Sequence, residues 1–385
     1  MTQPHSSNLR RLLVESVRGD ARGPLGDVRH LPIEAVAAAA AQHRITPAVS
    51  RRVDAAPDAL EAWRRPLQQK RYEQLLRHMQ ASSDLQILGR ELGDAGIRWA
   101  LGKGPVAADL LWPAPDMREY YDVDVFIAPS DFESALKCLT DSGFTYVDRN
   151  WPELQRTMRA EIALRGPAGS HLDLHWDIAV TESLRGTFRT SVSSMLDRST
   201  EAVLGSGTRV RVFDPEDTAL HLTFHAAQNG ANRLMWVADI WFATGRAEFD
   251  WDAFAERAER LRMSVMAGLV LRRVDATFGL SGDGWEPLVE RNSAWDRFAG
   301  VVGRRTQFPG LPGDRHAGGM EFSSARDNLA ASAMQGLVHT WTLRRIERKA
   351  ARTSAPERVL YMDVDDADAR TAYFEGVRRV AAGRG

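Results

Sequence analysis

An Asp-x-Asp pair at the head of a β-branched and aromatic run, Asp122-Val123-Asp124-Val125-Phe126-Ile127, constrains this chain more than any other feature. The run reads as a strand. Successive side chains on a strand alternate faces, so Asp122 and Asp124 point the same way, with their Cα atoms about 6.6 Å apart. Such a pair is either solvated on the outer face of an ordinary strand or set to flank divalent cations, which lie ~3.5–4 Å apart in two-metal sites. Just upstream, Ile97 to Leu101 reads as a strand, Gly102-Lys103-Gly104 as a tight turn, and Pro105 as the first residue of a helix. That places a glycine-flanked lysine where it can meet a phosphate. A second pair, Asp363-Val364-Asp365, has no glycine turn before it and carries less weight.

The elements around this stretch follow from periodicity. A short helix is expected around Leu9 to Val17 and an Ala-rich one over Leu31 to Ala41. His43-Arg44-Ile45-Thr46-Pro47 breaks the pattern, and Pro47 opens another short helix. Pro66 to Leu92 reads as a long helix with Pro66 in its first turn. Ser130 and Glu133 have the spacing of a capping box before a helix carrying Phe132, Leu136 and Leu139 inward. Phe144 to Val147 reads as a strand and Glu153 to Ala163 as a polar helix. His171 to Ile178 alternates strictly, with Leu172, Leu174, Trp176 and Ile178 on one face and His171, Asp173, His175 and Asp177 on the other. Val210 to Phe213 reads as one more strand. From Pro215 the chain is expected to be helical, including Trp251 to Leu261, Val265 to Phe278 and Ala325 to Lys349.

The length of 385 residues suits two or three domains. The net charge of −1 argues against non-specific binding to nucleic acid or an anionic membrane, while leaving room for a local basic groove. The single cysteine, Cys138, excludes an intrachain disulfide and a Cys-based metal site. The N-terminus has no signal-peptide core and no run of 18 apolar residues occurs, so a cytoplasmic location is expected.

Several clusters carry chemistry. Two acids on one strand and a third, Asp173, on a neighbouring strand can hold Mg²⁺ against substrate phosphates. The third acid can also accept a proton from an attacking hydroxyl. Lys103 can serve as a point charge for phosphate and Arg118 as a fork, with the turn amides adding donors. Alternatively, Lys103 snorkels and Arg118 pairs with Asp116 or Glu119. His175 shares the face of Asp173 and either orients an acid or is a hydrogen-bonded neighbour. His221, His225 and Asp239 suggest a metal site or, more simply, a polar seam with His225 bonded to Asp239. Arg344-Arg345-Ile346-Glu347-Arg348-Lys349 reads as a solvated basic face, with Trp341 and Leu343 marking packing or a homo-oligomer contact.

The order of these parts resembles the nucleotidyltransferase fold shared with DNA polymerase beta and aminoglycoside nucleotidyltransferases. More closely, the chain is similar to a bacterial family of uncharacterised nucleotidyltransferases. The resemblance rests on Lys103-Gly104, Arg118, Asp122/Asp124 and Asp173-Leu174-His175-Trp176, and extends to His43-Arg44-Ile45-Thr46-Pro47 upstream and His221 to Asp239 downstream. It departs from the superfamily in lacking Gly-Ser in the turn, in the long gap from Gly104 to Asp122, and in having Tyr121 before the first acid. The resemblance implies an α+β fold: a small mixed sheet with flanking helices, a helical lead-in over 1–90, a catalytic unit over 91–214 and a helical C-terminal domain over 215–385. It implies an enzyme that moves an NMP, AMP in the first instance, from an NTP to a hydroxyl or phosphate acceptor on a small molecule or protein. Asp122, Asp124 and Asp173 would be the catalytic and metal-binding residues for two Mg²⁺ ions. Gly102, Lys103, Gly104 and Arg118 would bind the nucleotide, with His175, His225 and Asp239 as accessory residues. The alternatives are an inactive nucleotide-binding protein that kept the fold, or an RNA-directed transferase.

Overall fold

The computed structural model describes residues 3–19, 22–282, 284–289, 293–305, 307–314, 319–338 and 359–383. It is α+β, built on a seven-stranded mixed sheet. The strands are β1 (Trp99–Leu101), β2 (Asp122–Ile127), β3 (Thr145–Tyr146), β4 (Glu161–Arg165), β5 (His171–His175), β6 (Thr200–Val203) and β7 (Arg209–Val212), in the order β3-β4-β5-β2-β1-β7-β6. The Asp-x-Asp strand therefore lies fourth of seven. It runs antiparallel to β1 and parallel to β5.

Alternation along β2 decides which layer lies on which side. Val123, Val125 and Ile127 enter one apolar cluster with Leu85, Leu88 and Leu92 of the long helix α4 and with Phe132, Leu136 and Leu139 of α5. Numbering the helices from the N-terminus, α1 is Gln3–Arg18, α2 Ile33–Gln42, α3 Thr46–Asp54, α4 Glu61–Asp94, α5 Phe132–Asp141 and α6 Trp151–Thr157. Tyr373, Phe374 and Val377 of the last described helix, Ala367–Ala382, complete this layer. Phe126, on the acid-bearing face, belongs to a second cluster. That cluster joins the N-terminal helices to α9 (Pro215–Gln228), α10 (Leu234–Thr244), α11 (Trp251–Arg260) and α12 (Ser264–Phe278). The short helices α7 (Glu182–Thr187) and α8 (Val192–Asp197) lie between β5 and β6.

Four expectations change. Glu161–Arg165 is a strand, not the end of a helix: α6 is capped by the Asn150 side chain, stops at Met158 in the left-handed conformation (φ 43°), and the chain then pairs with β5. The Ser130/Glu133 capping box does not form. Helix α5 starts at Phe132 after Asp131, and Glu133 reaches Arg378 at 2.5 Å instead. Helix α4 begins a turn earlier than Pro66, because burying Trp63 draws the preceding residues into the helix. The second Asp-x-Asp anchors the tail: Val364 bridges Asn150, and Asp363 pairs with Arg149 at 3.0 Å. The helix expected from Ala325 begins later, over residues 329–338. Its continuation, with Trp341, Leu343 and the basic segment 344–349, lies outside the described residues. No described helix is long and apolar enough to cross a membrane.

Candidate active site

The register of the β2–β5 pair sets Asp124 directly opposite Asp173, Asp122 opposite His171 and Phe126 opposite His175. Strand β4 then sets Glu161 opposite His175. Because paired residues point to the same face, these groups converge. With Lys103 from the glycine turn, Arg159, and His221, Phe224 and His225 from α9, all of them but the exposed His171 line one cavity of about 330 Å³. The three aspartates singled out in the sequence are thus neighbours.

The contacts are specific. The Lys103 ammonium donates to Asp124 Oδ1. His175 Nε2 lies 3.0 Å from the same oxygen, and His175 Nδ1 lies 3.5 Å from Glu161 Oε2. The other Asp124 oxygen, Oδ2, is buried and has no hydrogen-bond partner among the described residues. The charges follow from this crowding. Burial works to raise the Asp124 carboxyl, but the Lys103 charge and the His175 contact outweigh it and hold it well below the usual carboxylate range. Asp173 has no such cation. Burial, then the charges of Glu161, Asp122 and Asp124, push it up to about 8. Burial favours a neutral Lys103, yet Asp124, Asp122 and Asp173 keep its pKa above the ordinary lysine value. His175 is raised: burial opposes its charge, but the Asp124 bond and Glu161 prevail. His221 is lowered to about 3, and His225 is also well below normal, by burial first and by Lys103 second.

Other candidate residues take different places. Arg118 is buried and makes a two-pronged pair with Asp239, Nε to Oδ1 and Nη2 to Oδ2, both 2.7 Å. Trp112 Nε1 donates to Asp239 Oδ1 as well, at 2.7 Å. Arg118 is therefore neither a free phosphate fork nor a partner of Asp116 or Glu119, and its remaining reach is to the Gly104 carbonyl at 3.4 Å. Asp239 is bound by Arg118 and Trp112 rather than by His225, which packs edge-on against Trp236. The Gly102 amide donates to the Asp124 carbonyl at 3.1 Å, so it belongs to the sheet and cannot cradle phosphate. What Gly102 provides is room: a Cβ there would stand 2.5 Å from both His221 and Phe126. Gly104 needs its positive φ of 70°, and a Cβ would come within 2.7 Å of the Asp122 carbonyl oxygen.

Sequence reading missed Glu161, Arg159 and Phe126 as lining residues. The Ile162/Leu164 alternation around Glu161 was the available signal. Among the described residues, Asp124, Asp173 and His175 each offer a ligand atom, all within 4.8 Å of one another. Asp122 lines the same cavity. The buried, unpartnered Asp124 Oδ2 is what a cation site leaves for an incoming ion, so these residues fit a divalent metal. No curated protein matches the chain. A family model described as uncharacterised nucleotidyltransferase does match, over residues 30–279, and with the acids, the glycine turn and the central strand placed as above, the chain belongs to that family of nucleotidyltransferases.

Proposed function

We propose that this protein transfers an NMP, AMP in the first instance, from an NTP to a hydroxyl or phosphate acceptor on a small molecule or protein. The observation that carries this reading is the pairing of Asp124 with Asp173 across adjacent strands, with one buried carboxylate oxygen left unbonded in the cavity. Asp122, Asp124 and Asp173 would hold Mg²⁺, which when bound neutralises the phosphates and polarises the reacting phosphorus. Lys103 has three donors and one is on Asp124, so the others can reach an α-phosphate in the same cavity. Asp173, paired directly opposite Asp124 and ionised once the metal is bound, is placed to take the proton of the attacking hydroxyl. His175 orients Asp124 through its ring nitrogen.

The test is incubation of the protein with each labelled NTP, Mg²⁺ and a cell extract. A labelled product should form with the native chain and disappear with Asp124→Asn and with Asp173→Asn. The Lys103–Asp124 contact favours a second reading, a nucleotide-binding protein in which the lysine has replaced the cation. Tight NTP binding with no product from any acceptor would select that reading and discard the first.

A further inference from the structure

With Arg118 committed to Asp239, Lys103 alone among the expected phosphate ligands still faces the cavity, and a triphosphate needs more cations than one. Three guanidinium groups stack on two aromatic residues that adjoin the cavity lining, without a carboxylate within ion-pair distance among the described residues. Arg44 and Arg77 sit over the Tyr121 ring at 4.8 and 4.6 Å. Tyr121 immediately precedes Asp122, so their Cα atoms are about 3.8 Å apart. Arg233 lies over Trp236 at 4.8 Å, and that indole also meets His225, a cavity residue, edge-on at 5.5 Å. The nearby Glu119 carboxylate accepts the Tyr121 hydroxyl.

Arg44 has φ 52° because it closes α2 in a Schellman cap, its amide donating to the Ala41 carbonyl at 3.1 Å and the Ile45 amide to the Ala40 carbonyl at 3.0 Å. The cap is tied to the rest of the fold through His43. Its Nδ1 accepts the Leu234 amide at 3.0 Å, at the start of α10, and its Nε2 meets the Gly310 carbonyl at 2.7 Å. The His43-Arg44 step is thereby docked beside Arg233. Burial and then Arg44's charge lower the pKa of Arg233, against the smaller opposing influence of Tyr121 and Glu119.

We propose that Arg44, Arg77 and Arg233, mounted on Tyr121 and Trp236, bind the β- and γ-phosphates of the nucleoside triphosphate and hold the departing pyrophosphate. This rests on the transferase reading above. In that reaction the acceptor oxygen bonds to the α-phosphorus and its proton passes to Asp173. The bond from the α-phosphorus to the bridging oxygen breaks, and pyrophosphate leaves with the electron pair. The added negative charge falls on the leaving group, where guanidinium forks stabilise it. The cavity is at the small end for ligand sites, so the phosphate tail would extend out of it past Asp122 toward Tyr121.

The test uses inorganic tripolyphosphate, so it needs neither the base nor the acceptor. Tripolyphosphate is titrated by calorimetry into the full chain with and without Mg²⁺, using Arg44→Gln, Arg77→Gln, Arg233→Gln, the triple variant, and the three Arg→Lys forms as folded, charge-conserving controls. Each Gln substitution should weaken binding about tenfold, the triple variant should lose it, and the Lys forms should retain part. Native-strength tripolyphosphate binding by the triple variant overturns the proposal. So does a loss confined to a single-stranded RNA oligonucleotide run in parallel. Arginine-dependent tripolyphosphate binding without labelled product from the native chain would sink the transferase reading and leave the phosphate site standing.

Discussion

Arg118 and Asp239 lie 121 residues apart and meet where water does not reach. Removing one partner of such a pair strands the other's charge, which costs about 3–5 kcal/mol, while replacing both with apolar groups is close to neutral. Arg118→Met and Asp239→Leu should each lower the unfolding free energy read from urea denaturation by that much, and the double variant should recover most of the loss. Tripolyphosphate affinity should be unaffected in whichever of these variants fold. The sequence pointed to Arg118 as a phosphate ligand because of its nearness to Asp122. Nothing local reveals a carboxylate that arrives from a helix far downstream. The three aspartates, by contrast, were legible, because strand alternation alone orients them once the strands are drawn side by side.

The glycine turn shows how one element fixes another. Gly102→Ala would drive a methyl into His221 and Phe126 and so lift α9 from the sheet. Overpacking of this kind costs about 1–3 kcal/mol, read as a lower thermal midpoint. Gly104→Ala adds a left-handed backbone strain and a clash with β2 itself. It should lose Mn²⁺ affinity in calorimetry beyond any change in stability, because it shifts Asp122. The same scale explains where sequence reading stopped. Strands β1, β2, β5 and β7 and most helices carry clear periods. Glu161–Arg165 alternates as well, but over only five residues, four of which are of the strong helix-forming types Glu, Ala, Leu and Arg. Only pairing with β5 makes it a strand, and with it goes Glu161's place at the site.

At the scale of the molecule, the buried charges set a pH dependence. Asp173 and His175 have pKa values above their unfolded ones, so the native state binds the extra proton. Stability from such groups is present at low pH and lost as pH rises through the folded pKa. His221 and His225 are lowered and act oppositely, their effect ending near pH 6.5, the ordinary histidine value. Between about pH 6.5 and 8 the lowered histidines no longer change while Asp173 and His175 lose their protons, so the metal-free protein should lose thermal stability across that window. Saturating Mn²⁺ should abolish the decline, since an ion displaces the proton from Asp173, and scanning calorimetry at several pH values checks both statements.

The position of β2, fourth of seven, has a further consequence. Bonded on both flanks, its amides can be released to deuterium only when the whole sheet opens, whereas β3 and β6 at the rims can fray alone. Mass-spectrometric labelling should find Val123 to Phe126 among the slowest segments and Thr145–Tyr146 and Thr200–Val203 among the fastest. Asp122 and Asp124 would then keep their mutual spacing through partial openings that dismantle the periphery.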